Sequence, residues 1–450
     1  MTTFCDVIGE SSFLFNFNGI KVLTDPWFGE PIYGGGWSQF PLPVVTPEQL
    51  TNIKYIFISH VHPDHCCIES ISKTLEYSPN AKILMMDRIE GPCYLSKKLS
   101  RSFNGALDSR IVRIKPFKQY ILDYFCMWCL PPSSKNSLNE MIDSTLVIKA
   151  PEGLIFFAND NTPTIEHAQF INTLDCKQYI ALLPFSGGSG FPSSYKNLTQ
   201  QEKSVAAQKT RSEYESYARK FLSATSFDYY MPIAGNHILV SKSYDYHSTT
   251  GFLQNPYTVI KKINSNLCST CGIYVEPGNQ ILPDMTALNE PKLSQHEKRF
   301  DFQKRLFIEA VSSRIKPHIF ELDELKSVEI MDCFHSFNAP LIEALANISS
   351  ELLEVPPLLV LTSAGIYMTI TNSSAKIDKL DEASSAFDFI VDTFSPHRSF
   401  LCVDVSPKLL NAIITKKIHI NEADAACFLR YYRTMQYIPE LYAAIFTTII

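Results

Sequence analysis

Short apolar runs separated by turn residues dominate residues 1–285 of the chain. The stretch SSFLFNFNGIKVLTDP has apolar residues on both sides of Asn18-Gly19, a dipeptide typical of a tight hairpin turn. Other runs with strand-like composition are KYIFIS, AKILMMD, RIVRIKP, YILDYFCMWCL, STLVIKAPEGLIFFAND and QYIALLPF. HCCIESISKTLEY and LTQQEKSVAAQKTRSEYESYARKFLSA have helical patterns instead. Strands alternating with helices predict an α+β fold, a sandwich of sheets covered by helices.

The pattern changes near residue 290. PKLSQHEKRFDFQKRLFIEAVSSRI predicts a long amphipathic helix, PPLLVLTSAGIYMTIT and FDFIVDTFS predict strands, and NEADAACFLRYYRTMQYIPELYAAIFTTI predicts a helix-rich end. We therefore predict two domains, residues 1–285 and a smaller α+β domain over residues 286–450. The second should pack on the first near its functional site and bury the aromatic face of its last segment, because that segment is too apolar to remain exposed.

One short stretch, FISHVHPDHCCIES, carries the strongest chemical signal. His60, His62, Asp64 and His65 follow an apolar run directly, in a chain with only 11 histidines in 450 residues. A buried imidazole needs partners for both ring nitrogens, so such a cluster has no use in an apolar core. A turn after the strand can aim His60 and His62 at one metal ion, and Asp64 and His65 at a second beside it. Imidazole and carboxylate together suit zinc, iron or manganese.

Composition narrows the function classes. The chain is 45% hydrophobic and only 19% charged. Its formal net charge of -6 does not predict a basic surface that would bind nucleic acid. No apolar run reaches the roughly 20 residues that span a bilayer, and the N-terminus lacks signal-peptide features. We therefore expect a soluble cytoplasmic protein that acts on a small molecule, with no nucleic-acid partner and no membrane span. Its oligomeric state is left open.

The 12 cysteines are spread along the chain, which is typical of an intracellular protein whose cysteines are free thiols. Two Cys-x-x-Cys pairs, Cys126 with Cys129 and Cys268 with Cys271, could together form a four-thiolate zinc site. The first pair lies in a strand-like run, where cysteine behaves as a small hydrophobe, so buried free thiols are the default interpretation.

The spacing His-x-His-x-Asp-His after a strand resembles the metallo-β-lactamase superfamily. The resemblance implies an αβ/βα sandwich with a metal site at one edge. It also implies a metal-bridging role for Asp160 in LIFFANDN, a ligand role for His237 in YYMPIAGNHILV, and a role for Asp25 in VLTDPWF in orienting a ligand histidine. Simpler alternatives are a turn-capping Asp160 and a water-exposed His237.

One part of the superfamily's usual metal site is missing. No histidine lies between His65 and Asp160, where a loop usually supplies a ligand. We therefore expect one firmly held ion on Asp64, His65, Asp160 and His237, and a weaker one on His60, His62 and Asp160. Asn139, Glu140 or a cysteine of CMWC could complete the weaker site.

The segments DPWFGEPIYGGGW, SHVHPDH, LLPFSGGSGFP and YYMPIAGN follow one another much as in the hydroxylases that act on CMP-N-acetylneuraminate. That resemblance implies a polar, anionic substrate, bound by Gly187, Gly188, Ser189 and Trp27. The glycine runs could equally be ordinary turns. The Cys-x-His ligands of those enzymes' Rieske cluster do not occur in this chain, so no Rieske cluster is expected.

Three functions follow from these residues. The first is hydrolysis by a water that one or two divalent ions activate, with zinc ahead of iron or manganese, and with Asp64 as the catalytic residue that positions the water and passes a proton. The second is oxidation at a non-heme di-iron centre, and the third is binding without catalysis at a degenerate site. Hydrolysis comes first because it is the commonest chemistry of the superfamily.

Overall fold

The computed structural model describes most of the 450 residues. The described ranges are 5–29, 31–87, 95–122, 125–132, 143–150, 153–188, 190–240, 242–249, 254–265, 270–282, 285, 290–314, 323–348, 358–371, 373–380, 390 and 401–433.

The strands are, in chain order, β1 (Cys5–Val7), β2 (Phe13–Phe17), β3 (Ile20–Thr24), β4 (Trp37–Gln39), β5 (Ile53–Phe57), β6 (Lys82–Met86), β7 (Ile111–Ile114), β8 (Tyr120–Leu122), β9 (Phe125–Leu130), β10 (Thr145–Ala150), β11 (Gly153–Phe157), β12 (Gln178–Pro184), β13 (Tyr229–Ile233), β14 (His237–Leu239), β15 (Cys271–Gly272), β16 (Gln280–Ile281), β17 (Leu358–Thr362), β18 (Ile366–Ile370), β19 (Ala375–Lys379), β20 (Leu401–Val405) and β21 (Arg430–Arg433). The helices are α1 (Pro47–Leu50), α2 (Ile68–Tyr77), α3 (Leu95–Ser102), α4 (Ile165–Thr173), α5 (Gln200–Ser223), α6 (Tyr244–Thr249), α7 (Pro256–Asn264), α8 (Glu290–Arg314), α9 (Ser327–Ile348), α10 (Pro407–Ile414) and α11 (Ile420–Ala425).

Two seven-stranded sheets form the body of the molecule. The first has the order β16-β1-β2-β3-β5-β6-β7 and the second the order β15-β13-β12-β11-β10-β9-β8. In each sheet an antiparallel half continues into a parallel half: β3, β5, β6 and β7 run parallel in the first, and β11, β12, β13 and β15 in the second. The carboxyl ends of these parallel strands therefore lie at one edge of each sheet, where ligand sites of α/β proteins form.

The inner faces of the two sheets share one apolar core. Phe13 and Phe15 of the first sheet meet the ring of Phe157 of the second edge-on, with ring centroids 5.5 and 6.4 Å apart. On the outer faces, α2 buries Ile71 against the first sheet and α5 packs Phe221 against Phe156 of the second. Helices thus cover both sheets, which is the αβ/βα sandwich that the sequence predicts.

A five-stranded sheet of order β19-β18-β17-β20-β21 forms a second core with α9 and α10. The domain boundary at residue 285 remains a prediction. Leu293, Phe300 and Ile308 of α8 lie in the first core, so packing favours a boundary after α8. Tyr195, from the first predicted domain, lies in the second core.

Most predicted elements occur where the pattern placed them, including the β2–β3 hairpin. Asn18 and Gly19 have φ of 50° and 90°, the left-handed values that a tight hairpin turn requires. Within the described residues, none of the helices is long and apolar enough to cross a membrane.

Two segments differ from the prediction. YILDYFCMWCL forms the antiparallel pair β8 and β9 rather than one strand, since the chain reverses between them. Residues 430–433, predicted to lie in a helix-rich end, form β21, in which an exposed Arg430 precedes a buried Tyr431 as strand alternation requires. The predictions for residues 434–450 and most of FDFIVDTFS lie outside the described residues.

Candidate metal centre

The predicted site residues follow the carboxyl ends of strands. Asp25 comes directly after β3, His60 after β5 and Asp160 after β11, whereas His237 begins β14. Because β3 and β5 are parallel neighbours, their ends bring Asp25 and the histidine motif together at once. Asp160 reaches the same place from the facing sheet.

Three of these residues form a group that could hold a metal ion. One donor atom each from His60, His65 and Asp160 lies within 4.8 Å of the others. The carboxylate of Asp160 faces both imidazoles: its Oδ1 is 3.2 Å from Nε2 of His65, and its Oδ2 is 3.9 Å from Nε2 of His60. Both histidines are almost fully buried, while the side chain of Asp160 is 36% exposed. The group is therefore open to solvent on the aspartate side.

A buried hydrogen-bond network holds the histidines from behind. Oδ2 of Asp25 lies 2.8 Å from Nδ1 of His65 and accepts a hydrogen bond from the Ser59 hydroxyl at 2.7 Å. The Ser59 amide donates to the other oxygen of Asp25, also at 2.7 Å. These contacts are those expected of an aspartate that orients a ligand histidine, because they fix the ring and leave Nε2 facing Asp160.

A second carboxylate, Asp143, lies behind His60. Its Oδ1 is 3.5 Å from Nδ1 of His60, and its side chain is 9% exposed. Asp143 was not among the predicted site residues. It immediately follows residues 133–142, which are outside the described residues and include the candidates Asn139 and Glu140.

The remaining motif residues line the same corner. Nδ1 of His62 lies 2.8 Å from Nε2 of His60, and Oδ2 of Asp64 lies 3.5 Å from Nε2 of His65. The hydroxyl of Tyr33 donates to Oδ1 of Asp64 at 2.7 Å. Tyr33 was also missed, since nothing in its sequence spacing connects it to the motif.

His237 has different surroundings. Its ring stacks on Trp37 with centroids 3.8 Å apart and planes 4° apart, and its Nδ1 is 3.5 Å from Oε1 of Glu10. The residue is 6% exposed, which rules out the alternative of a water-exposed loop histidine. In the part of the chain that the structure describes, His237 is not in the group formed by His60, His65 and Asp160.

Gly187, Gly188 and Trp27, three of the predicted substrate-binding residues, have closely packed surroundings. A side chain at Gly188 would come within 2.7 Å of the Trp37 ring, and one at Gly187 within 3.2 Å of the Tyr214 hydroxyl, so close packing alone accounts for glycine at Gly188. Ser189 lies outside the described residues. Trp27 is only 2% exposed, and this burial counts against the predicted contact with substrate.

The cysteines that could complete the site are in the second sheet. Cys126 and Cys129 lie in β9 and pair with Lys149 and Leu146 of β10. Cys129 is buried in the first core, as the free-thiol interpretation predicts. Cys268 is outside the described residues, so the four-thiolate alternative stays untested.

Charge in the corner is strongly coupled. Burial alone would lower the pKa of the His65 imidazole, but the carboxylates around it, first that of Asp160, raise this pKa well above its usual value. Burial would raise the pKa of Asp64, but the neighbouring imidazoles, first that of His65, hold it well below its usual range. Burial and the Asp64 carboxylate raise the pKa of Tyr33, which therefore stays protonated and donates. A metal ion must displace a proton from His65 to bind.

The donor set fits a divalent transition metal. Imidazole nitrogens and a carboxylate oxygen converge on one point, and carboxylates support the ligand histidines, as in known zinc and iron sites.

Residues 6–115 match the family model of the β-lactamase superfamily domain. The match includes Asp25 and the histidine motif. A metal-dependent hydrolase from Aeropyrum pernix is 23% identical over 186 residues, which are 40% of this chain and 69% of the relative. The family match confirms the resemblance predicted from the histidine motif, and with it the prediction of a metal-dependent enzyme in which hydrolysis ranks ahead of oxidation. The likeness to the CMP-N-acetylneuraminate hydroxylases remains a prediction.

Two solved structures are similar in fold. A metallo hydrolase from Ignicoccus hospitalis matches 62% of this chain and 96% of its own, with 16% identity and a TM-score of 0.38. CmlA, a diiron β-hydroxylase from Streptomyces venezuelae, matches 60% of this chain and 52% of its own, with 13% identity and a TM-score of 0.41.

Proposed function

We propose that the chain is a hydrolase that acts on a polar, anionic small molecule at the corner formed by His60, His65 and Asp160. The observation that carries the proposal is the convergence of these three donors, with each imidazole supported from behind by a buried carboxylate. A bound divalent ion supplies a water of lowered pKa and stabilises negative charge on the substrate.

The chain's own residues divide the remaining work. Asp25 and Asp143 orient His65 and His60, so that both Nε2 atoms face Asp160. One oxygen of Asp64 accepts the Tyr33 hydroxyl, and the other lies 3.5 Å from Nε2 of His65, beside the predicted ion, where it would position the attacking water. The exposed side of Asp160 marks where substrate enters.

The net charge of the site with metal ions bound would favour an anionic substrate. Two divalent cations would exceed the negative charge of Asp64 and Asp160, and the surplus would attract an anion, whereas a single divalent cation would only balance these two carboxylates. We also propose that backbone N–H groups of Gly187 and Gly188 bind the anionic group of the substrate.

The test combines metal analysis with hydrolysis. Protein purified without chelator should contain zinc or another divalent metal, and should hydrolyse a chromogenic phosphodiester or acyl ester in a metal-dependent way. Asp160→Asn should lose both properties, whereas Asp175→Asn, an exposed aspartate outside the corner, should keep them.

Other outcomes separate the alternatives. Bound iron with oxygen consumption and no hydrolysis would favour oxidation, because the same donors suit iron. Protein without metal under these conditions, and unable to take it up, would contradict the metalloenzyme proposal and leave a binding protein.

A further inference from the structure

A second set of polar residues lies where the first sheet sandwich meets the C-terminal sheet. Tyr195 forms a parallel bridge with Tyr431 of β21, and the Lys196 amide donates to the Tyr431 carbonyl at 2.8 Å. The rings of Tyr195 and Tyr431 stack 5.3 Å apart inside the second core. Because side chains alternate along a strand, Lys196 and Arg430 extend from the opposite, outer face.

Two more lysines approach the same segment. Nζ of Lys203 donates to the Ser193 carbonyl at 3.3 Å. The ammonium group of Lys242 lies 5.2 Å from the ring centroid of Tyr246, whose hydroxyl is also in hydrogen-bonding reach of Ser193.

The four cations, Lys196, Lys203, Lys242 and Arg430, are named here the junction cluster. Burial and then the charge of Arg430 lower the pKa of Lys196, and burial and then the charge of Lys196 lower the pKa of Lys203. Lys242 contributes to both shifts, so the cations are close enough to repel one another.

Little negative charge offsets this repulsion. Asp404, which pairs with Arg430 across β20 and β21, is the carboxylate that interacts with Lys196. Among the described residues, no carboxylate lies within 4.0 Å of a cation of the junction cluster. Four cations with one neighbouring carboxylate keep an excess of positive charge, which costs stability, and a bound anion would reduce that cost.

We propose that the junction cluster is a binding site for a phosphate-bearing small molecule, distinct from the metal centre. Ammonium and guanidinium groups supply several charge-assisted hydrogen bonds to phosphate oxygens, and the Tyr246 ring offers an apolar wall beside them. Trp37 lies between the two regions in contact terms: its ring stacks on His237, its Nε1 donates to the Ala425 carbonyl, and it shares one apolar cluster with Tyr246. The proposal does not depend on hydrolysis.

Titration calorimetry with inorganic pyrophosphate on the full chain tests this assignment. Metal-loaded and metal-free protein should both bind pyrophosphate at the junction cluster, and Lys196→Gln or Lys242→Gln should each weaken that binding about tenfold. Lys209→Gln is the matched control, since Lys209 lies on the same helix as Lys203 but outside the cluster, with 78% of its side chain exposed. Added salt should weaken binding to the wild type more than to the variants.

Asp160→Asn separates this site from the metal centre. It should leave the pyrophosphate affinity of the metal-free protein unchanged, even if hydrolysis is lost or was never present. Pyrophosphate binding that disappears when the metal is removed, or that Lys196→Gln and Lys242→Gln reduce no more than Lys209→Gln does, would overturn the proposal. The absence of binding to wild-type protein at low salt would overturn it as well.

Discussion

Two parts of the metal centre hold their histidines in different ways. His60 and His65 are held by polar contacts to three buried residues, Ser59, Asp25 and Asp143. His237 is held mainly by packing on Trp37, with Glu10 at 3.5 Å. The difference indicates that the first part is ordered by the sandwich alone, whereas the second depends on the C-terminal region through the hydrogen bond from Trp37 to Ala425.

The largest effect should come from Asp160. Replacing it with asparagine removes the one charge that faces both histidines, and we expect metal affinity to fall by more than about 100-fold, beyond the usual effect of a supporting residue. Metal content after equilibrium dialysis measures this. Metal retained at wild-type stoichiometry would show that the histidine corner does not need Asp160.

His60 and His62 should differ from each other. The sequence assigned His60 and His62 to the weaker site, so neither His60→Ala nor His62→Ala should change metal content much if that site is vacant. The grouping of His60 with His65 and Asp160 changes that expectation for His60. We now expect His60→Ala to lower bound metal strongly and His62→Ala to lower it little, as measured by metal analysis. Equal losses of bound metal in the two variants would favour the original assignment of His60 and His62 to the same metal site.

The supporting carboxylates should come next. Asp25→Asn and Asp143→Asn keep shape but remove charge, and each should weaken metal binding or activity about 10–100-fold. Asp25 should matter more, because it contacts Nδ1 of His65 at 2.8 Å, whereas Asp143 is 3.5 Å from His60. Competition with a chromogenic chelator gives both affinities. A larger loss from Asp143→Asn would show that the long contact is the stronger support.

Trp37→Phe should have the smallest effect on the metal. The phenyl ring keeps an aromatic face for His237 but loses the indole hydrogen bond to Ala425, so the free energy of unfolding should fall by about 1–2 kcal/mol with metal content unchanged. Urea denaturation measures the loss. A fall in bound metal as large as that of His60→Ala would mean that the two parts are not independent.

The sequence predicted the sandwich and the location of the site because both follow from local patterns. Each strand and each turn can be predicted from its own short stretch of sequence. The motif residues are neighbours in the chain: His60, His62, Asp64 and His65. Asp25 and Asp160 could be added because the resemblance to the metallo-β-lactamase superfamily implies their roles.

The supporting residues could not be predicted in the same way. Glu10 and Asp143 reach the site from separate loops, and Tyr33 and Trp37 from β4 and the turn before it, so their contacts arise only when the sheets pack. Trp37 is part of the quoted run GGGW, yet the predicted substrate contact is Trp27. The sequence does not show how deeply either tryptophan is buried, so it could not tell which one lies beside the site. The pairing of ligands was also beyond the motif: Nδ1 of His62 lies 2.8 Å from Nε2 of His60, yet it is His65 that groups with both His60 and Asp160.

The hydroxyl of Ser59 has a consequence for the protons of both histidines. It lies 2.7 Å from Oδ2 of Asp25, 3.0 Å from Nδ1 of His60 and 3.4 Å from Nδ1 of His65, but it has a single proton to give. Donated to Asp25, that proton leaves the oxygen free to accept from Nδ1–H of His60, and the His60 lone pair is then on Nε2. The same carboxylate accepts Nδ1–H of His65 directly. One buried aspartate thus acts on two imidazoles, on His65 by contact and on His60 through a serine, so Ser59→Ala should leave Asp143 as the remaining support of the His60 tautomer while that of His65 stays in place.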